Sequence, residues 1–164
     1  MATSVEGKEQ QTMGDAILEE SLKFIGFRLE HVSPGCVRGR FTVDNRSAQL
    51  FGVLHGGVSG LVAESLASLG AVAASGMQRV AGLQLSINHL TAAPIGTEVF
   101  VLAKPSRVGK RIQVWDVTFF DAKTVEQNDN YRTTIAVARV TIMAGLAGQS
   151  MGDYEQELRL QARL

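Results

Sequence analysis

Gln49, His55, Gly56 and Gly57 run into an apolar stretch, residues 58–74, whose one charged side chain is Glu64. A carboxylate in an apolar setting is costly, so it is neutralised, paired or opened to a cleft. Desolvation there would suit it to act as a base or a nucleophile. Ser68 lies four residues on, on the same helical face, where it could hydrogen-bond and orient Glu64. Gly56 and Gly57 stand just before the helix, next to its first turn. Unpaired N–H groups and the helix dipole make such a place fit for a phosphate or for the oxygen of a polarised carbonyl. Taken alone, the His-Gly-Gly run reads as a plain glycine-rich helix entry. Glu64 changes that reading, because the stretch offers no polar face for it to belong to.

Gly56 and Glu64 are eight residues apart, roughly 12 Å along a helix that rises about 1.5 Å per residue. A reacting carbonyl has to lie about 3 Å from both groups. One chain does not meet that condition. Two antiparallel helices related by a two-fold axis do, with Gly56 of one chain facing Glu64 of the other. The crossing then falls midway, at Gly60, which shares a face with Gly56 and permits close approach. The spacing predicts an obligate symmetric homodimer with sites at its interface.

The elements that position these residues follow from patterning. Residues 1–12 are polar and read as a flexible N-terminal segment. Asp15 could cap a short helix over 16–24. Strand patterns run over 27–43, broken by a turn at 33–35, and again over 83–92, 97–108, 111–121 and 131–144, with a polar loop at 122–130. Strands with one apolar face need cover, and a helix apolar all round needs burial on every side. The expectation is an α+β fold, a curled antiparallel sheet wrapped around a long central helix. A single domain covers 13–148, and 149–164 is a polar, partly helical tail. His31 reads as a surface or strand residue.

Composition narrows the function. With 16 basic and 16 acidic residues the formal net charge is zero, and the scattered Lys and Arg form no basic stripe of the kind nucleic acid requires. No apolar run of membrane-span length is expected; the 58–74 stretch comes closest, but its Gly, Ser and Glu content reads as a core helix. The chain does not open on a signal-peptide pattern. Cys36, the one cysteine, forms no internal disulfide, fits a reducing compartment and reads as a small strand or core residue. Zinc-ligand spacing, a P-loop and a dinucleotide-binding fingerprint are all absent.

Gln49, then His55, Gly56 and Gly57, then Glu64 and Ser68 at this spacing resemble the hotdog-fold acyl-CoA thioesterases, in the branch acting on aromatic thioesters such as 4-hydroxybenzoyl-CoA and 1,4-dihydroxy-2-naphthoyl-CoA. The likeness spans about residues 22–145. It implies hydrolysis of an aromatic CoA thioester, 1,4-dihydroxy-2-naphthoyl-CoA foremost, with no metal or redox cofactor. A general fatty or aryl acyl-CoA thioesterase and a non-catalytic acyl-CoA-binding protein remain the alternatives. The resemblance makes Glu64 the catalytic carboxylate, as nucleophile or as general base on water. It makes the Gly56 N–H the donor to the thioester carbonyl, Gln49 and His55 the orienting residues, and Ser68 the neighbour of the carboxylate. Gly57, Gly82, His89, Leu90 and Thr91 are then substrate contacts near the acyl group and pantetheine arm. Ser106, Arg107, Val108, Gly109, Lys110 and Arg111 match strands that meet the nucleotide phosphates, for which Arg and Lys beside a glycine turn are suited. Many bacterial members carry a proline after the glutamine, where this chain has Leu50. Hotdog relatives acting on other acyl groups place Asp in the carboxylate role, so Glu64 favours the aromatic branch. The family often forms dimers of dimers. The closing tripeptide Ala162-Arg163-Leu164 resembles a peroxisomal import signal, so an import receptor is an expected partner and the peroxisome the expected location, with the cytoplasm as the alternative. Plant enzymes that release 1,4-dihydroxy-2-naphthoate for phylloquinone synthesis share that combination.

Overall fold

The computed structural model describes residues 17–127, 133–146 and 152–162. Within them the chain forms, in order, α1 (Glu20–Phe24), β1 (Arg28–Ser33), β2 (Cys36–Thr42), α2 (Gly56–Ala74), β3 (Arg79–His89), β4 (Glu98–Val108), β5 (Ile112–Asp121), α3 (Ala122–Gln127), β6 (Thr134–Leu146) and α4 (Asp153–Ala162). The strands make one antiparallel sheet in the order β1-β2-β4-β5-β6-β3, with β1 and β3 at its edges. This is the α+β architecture expected, a long helix held by a six-stranded sheet.

Alternation fixes which side of the sheet faces α2. Val99, Val101 and Ala103 of β4 and Trp115, Val117 and Phe119 of β5 are fully buried, while their sequence neighbours are partly exposed. Period-two strands therefore present a continuous apolar face. Against it α2 sets Val62, Ala63, Leu66, Ala67 and Ala71, all buried. The small residues let the helix sink close to the sheet. A Cβ at Gly70 would lie 2.4 Å from the Trp115 ring, so the ring occupies the place a side chain would take. Gln113, also buried, joins the layers: its amide donates to the Ala71 carbonyl at 3.2 Å and its oxygen accepts from the Trp115 indole N–H at 3.0 Å.

Several expectations shift. The helix begins at Gly56, not at residue 58, because His55 caps it. By length and composition alone α2 is apolar enough to cross a membrane, but here it is the core helix under the sheet. Nor is it buried on every side: Glu64 is exposed in the single chain and Ser68 partly so. Gly60 faces Leu85 of its own β3, with a would-be Cβ contact of 3.4 Å, so within the chain that glycine receives a strand side chain. The 122–130 loop opens with the short α3, and β3 ends at His89, which leaves Leu90 and Thr91 beyond the strand. The short N-terminal helix spans only Glu20–Phe24, with Glu19 at its N-cap and no side-chain cap. Residues 1–12, Asp15, Arg163 and Leu164 lie outside the described residues.

Candidate active site

The site is built on the two ends and the outer face of α2. At the entrance, residues 48–54 form a tight hairpin-like loop closed by the bridges Ala48↔Leu54 and Val53↔Pro94, with Gly52 at φ 73°. Its base is fixed by Asp44, whose carboxylate accepts from the Arg46 backbone N–H at 2.8 Å and from its guanidinium at 2.9 Å. The Arg46 guanidinium holds the Asp44 carboxyl below the usual carboxylate range. Gln49 turns its side-chain oxygen inward to accept from the Phe51 N–H at 2.6 Å, which leaves its NH₂ to donate outward. Leu50 and Phe51 at the tip are almost wholly exposed, at 101% and 89%.

His55 is the N-cap of α2. Its backbone is extended, and its Nδ1 accepts from the Gly57 N–H at 2.8 Å. An imidazole that accepts at Nδ1 carries its proton, when neutral, on Nε2, so the ring is a hydrogen-bond donor on its free side. The Gly56 N–H, first in the helix, has no acceptor among the described residues. His89 lies over it: a Cβ at Gly56 would be 3.0 Å from the His89 ring. Gln49, Gly56, His89, Leu90 and Thr91 thus line one pocket of about 340 Å³. Its floor includes Ser59, fully buried, whose hydroxyl has no partner among the described residues; periodicity gave no reason to single this residue out.

Glu64 and Ser68 line a different and larger cleft, of about 550 Å³, over the face of α2 turned away from the sheet. No hydrogen bond joins the two side chains; they share the wall. Gly82 belongs here too, because its missing side chain is what admits the carboxylate: a Cβ there would stand 2.3 Å from the Glu64 Oε1. β3 changes register between Gly82 and Gln84, which bulges the strand beside the carboxylate. Two polar residues of this cleft were not legible beforehand: Ser65, whose hydroxyl donates to the Glu19 carboxylate, and Glu19 itself.

The third group stands at the C-terminal end of α2. Gly109, Lys110 and Arg111 line a pocket of about 400 Å³ with Ala74, Ser75 and Gln78. Gly109 is required by its turn, since a Cβ would meet the Ile112 carbonyl oxygen at 2.6 Å. The Ser106 hydroxyl donates to the Val114 carbonyl at 3.3 Å, and Arg107 and Val108 are exposed beside it. Arg107, Lys110 and Arg111 have no ion-pair partner among the described residues, so their charge is free for an anion. No group of three or more metal-ligating side chains occurs among the described residues. Within one chain the Gly56 and Glu64 groups remain apart on a single unbroken helix, at roughly the 12 Å that the helical rise dictates.

Comparisons with known proteins give the family and the fold. The family described as the thioesterase superfamily matches residues 51–128. The 1,4-dihydroxy-2-naphthoyl-CoA thioesterase 2 of Arabidopsis thaliana is 48% identical over 130 residues, which is 79% of this chain and 82% of that one. A 1,4-dihydroxy-2-naphthoyl-CoA hydrolase of Escherichia coli is 40% identical over 101 residues, 61% of this chain and 74% of that one. Among solved structures, a thioesterase of Haemophilus influenzae superposes with a TM-score of 0.68 at 26% identity, covering 84% of this chain and 91% of that one.

Proposed function

The chain belongs to the thioesterase superfamily and is a thioester hydrolase, and from that premise we propose that it hydrolyses 1,4-dihydroxy-2-naphthoyl-CoA to 1,4-dihydroxy-2-naphthoate and CoA. The observation that carries the reading is Glu64, a carboxylate set in an apolar cleft of substrate size with no cation paired to it among the described residues. Ligand pockets run to about 300–1,000 Å³ and are mostly apolar with a few placed polar groups. The choice of acyl group is supported by the two relatives whose names specify that substrate, at 48% and 40% identity.

In this proposal the thioester carbonyl oxygen accepts from the Gly56 N–H, with the outward Nε2–H of His55 and the amide of Gln49 orienting the thioester or the attacking water. These donors would stabilise the oxyanion that develops when the carbonyl carbon is attacked. Glu64 attacks that carbon and, as CoA is lost, forms a mixed anhydride that water then cleaves to the free acid and the carboxylate; or Glu64 takes a proton from water as water attacks the carbon directly. CoA leaves as the thiolate, a fair leaving group with a thiol pKa of about 8.5 by analogy with cysteine. Ser68 is the polar neighbour of the carboxylate on the cleft wall. Arg107, Lys110 and Arg111 meet the CoA phosphates. Because Gly56 and Glu64 stand apart on one helix, the assembly is a two-fold dimer with each site shared. Two features support that arrangement: β3 is an edge strand with Leu83 half exposed, and the Leu50–Phe51 tip stands bare beside Gln49. Association of two such dimers, a role in phylloquinone synthesis and a peroxisomal location read from Ala162-Arg163-Leu164 complete the proposal. Light scattering checks the mass, and a fluorescent fusion with and without Leu164 checks the address.

The test is free-thiol release from 1,4-dihydroxy-2-naphthoyl-CoA beside benzoyl-CoA and palmitoyl-CoA, with the wild type and Glu64→Ala. The expected result is selective release from the naphthoyl ester, reduced about 10²–10⁴-fold in the variant, the range typical of a lost acid–base group. Release indifferent to the acyl group would leave a general acyl-CoA thioesterase. No release from any ester by folded dimer would leave an acyl-CoA-binding protein.

A further inference from the structure

The cleft that holds Glu64 does not end there. Leu61, Leu69 and Val72 of α2 continue it as an apolar floor, and Leu158 of α4 closes it. α4 is polar along most of its length, yet Leu158 is only 3% exposed and belongs to the main apolar cluster. The helix packs against β1 and α2. Glu64 lies at the opposite side, against Gly82 of β3. Since β1 and β3 are the two edges of the sheet, the cleft crosses the outer face of α2 from the carboxylate toward α4. The segment matching the superfamily stops at residue 128, so this wall is supplied by chain that the matched region does not contain.

We propose that Leu158 is the end wall of the acyl-group pocket and limits the length of acyl group this protein accepts, admitting a flat two-ring aromatic group and excluding an extended alkyl chain. The inference rests on the reading that the thioester is attacked at Glu64, which places the acyl group in this cleft. Leu18 and Leu22, the neighbouring wall residues, belong to the same apolar cluster and are 1% and 0% exposed. Leu158 stands on α4, outside the layers made by the sheet and α2, so changing it reshapes that end of the cleft. A pocket discriminates by about 10–200-fold for a methylene gained or lost, which sets the size of effect to look for.

The experiment compares kcat/KM for 1,4-dihydroxy-2-naphthoyl-CoA, benzoyl-CoA, decanoyl-CoA and palmitoyl-CoA in the wild type, Leu158→Ala, Leu158→Phe and Leu160→Ala, in full-length protein. Leu160 is exposed at 66% and serves as the control on the same helix. Leu158→Ala is expected to raise the decanoyl-to-naphthoyl ratio at least about tenfold. Leu158→Phe is expected to raise KM for the naphthoyl ester with benzoyl-CoA little affected, and Leu160→Ala to leave every ratio as it is. Loosening of α4 by the alanine would open the same end of the cleft and move the ratio in the same direction. Unchanged ratios in both Leu158 variants, with native circular dichroism, would overturn the inference. Dissociation constants for non-hydrolysable S-decyl and S-naphthyl CoA thioethers give the same ratio without turnover. Absence of hydrolysis by the wild type would therefore refute the hydrolase mechanism, while the thioether ratio would still decide the end wall.

Discussion

A methyl group added at Gly82 would sit 2.3 Å from the Glu64 Oε1, and the next nearest atoms are also of that side chain. The obstruction is the far end of a flexible side chain, so the fold can absorb it by moving the carboxylate. Gly82→Ala is therefore expected to fold with a nearly unchanged melting temperature and to lose roughly 10²-fold in kcat, the effect of displacing a reacting group by about 1 Å. An equal loss of stability would mean that the glycine serves the β3 bulge instead. His55 allows a similar separation of roles. Its Nδ1 caps Gly57 while its Nε2–H points outward. Asparagine is among the best N-cap residues but does not reproduce the outward ring donor. His55→Asn should keep the stability of α2 within a few tenths of a kcal/mol and lower kcat about 10²–10³-fold, as for a lost donor to an oxyanion. Denaturant melts and steady-state kinetics on the same preparations read both quantities.

At the scale of elements, Gly70 sets two effects against each other. In an exposed helix Gly→Ala stabilises by about 0.5–1 kcal/mol. Here the added carbon would stand 2.4 Å from the ring of Trp115, which is fully buried and tied through Gln113 to Ala71. Overpacking a core costs about 1–3 kcal/mol, so the clash wins and Gly70→Ala lowers the urea midpoint at an unchanged slope. Sequence pattern foresaw the strands and the central helix, but neither α3 nor this contact. The strands were legible because alternation such as Gln113-Val114-Trp115-Asp116-Val117 places one apolar face on one side. The central helix was legible because it has no polar face. Its start was misplaced by two residues, since Gly56 and Gly57 have low helix propensity and only the cap from His55 shows that they belong to the first turn. Spacing placed Gly56 and Glu64 eight residues apart on one helix, and the structure keeps them in separate pockets. Gly82 entered through resemblance, as a substrate contact, and its packing on Glu64 depends on which strand comes to lie beside α2. Leu158 was hidden for another reason: it is one apolar residue in a polar tail, and what it covers is set by a long-range packing that no local period records.

At the scale of the molecule, the single chain leaves unfinished business at one edge. β3 pairs with β6 on one side and with nothing among the described residues on the other. Exposed strand edges invite pairing with another chain, and proteins that stay monomeric blunt them with charge, proline or cover. β3 has one charged residue, Arg79, at its very start, and it exposes Leu83 at its centre, with Leu90 just beyond its end. A two-fold contact through this edge would put Gly82, and with it Glu64, near the second chain, where the exposed carboxylate would gain the low-dielectric surroundings that the isolated chain does not give it. Leu83→Glu places a charge at the centre of the edge and, across a two-fold axis, a like charge near it. The expected outcome is a concentration-dependent shift from dimer to monomer by analytical ultracentrifugation, with native circular dichroism retained because Leu83 adds nothing to the chain's own core. Thiol release should fall in proportion to the dimer fraction and recover as protein concentration rises. A fully active monomer would show that Gly56 and Glu64 act on one carbonyl without a second helix, and the two-fold argument would fail at its first step, the roughly 12 Å between them.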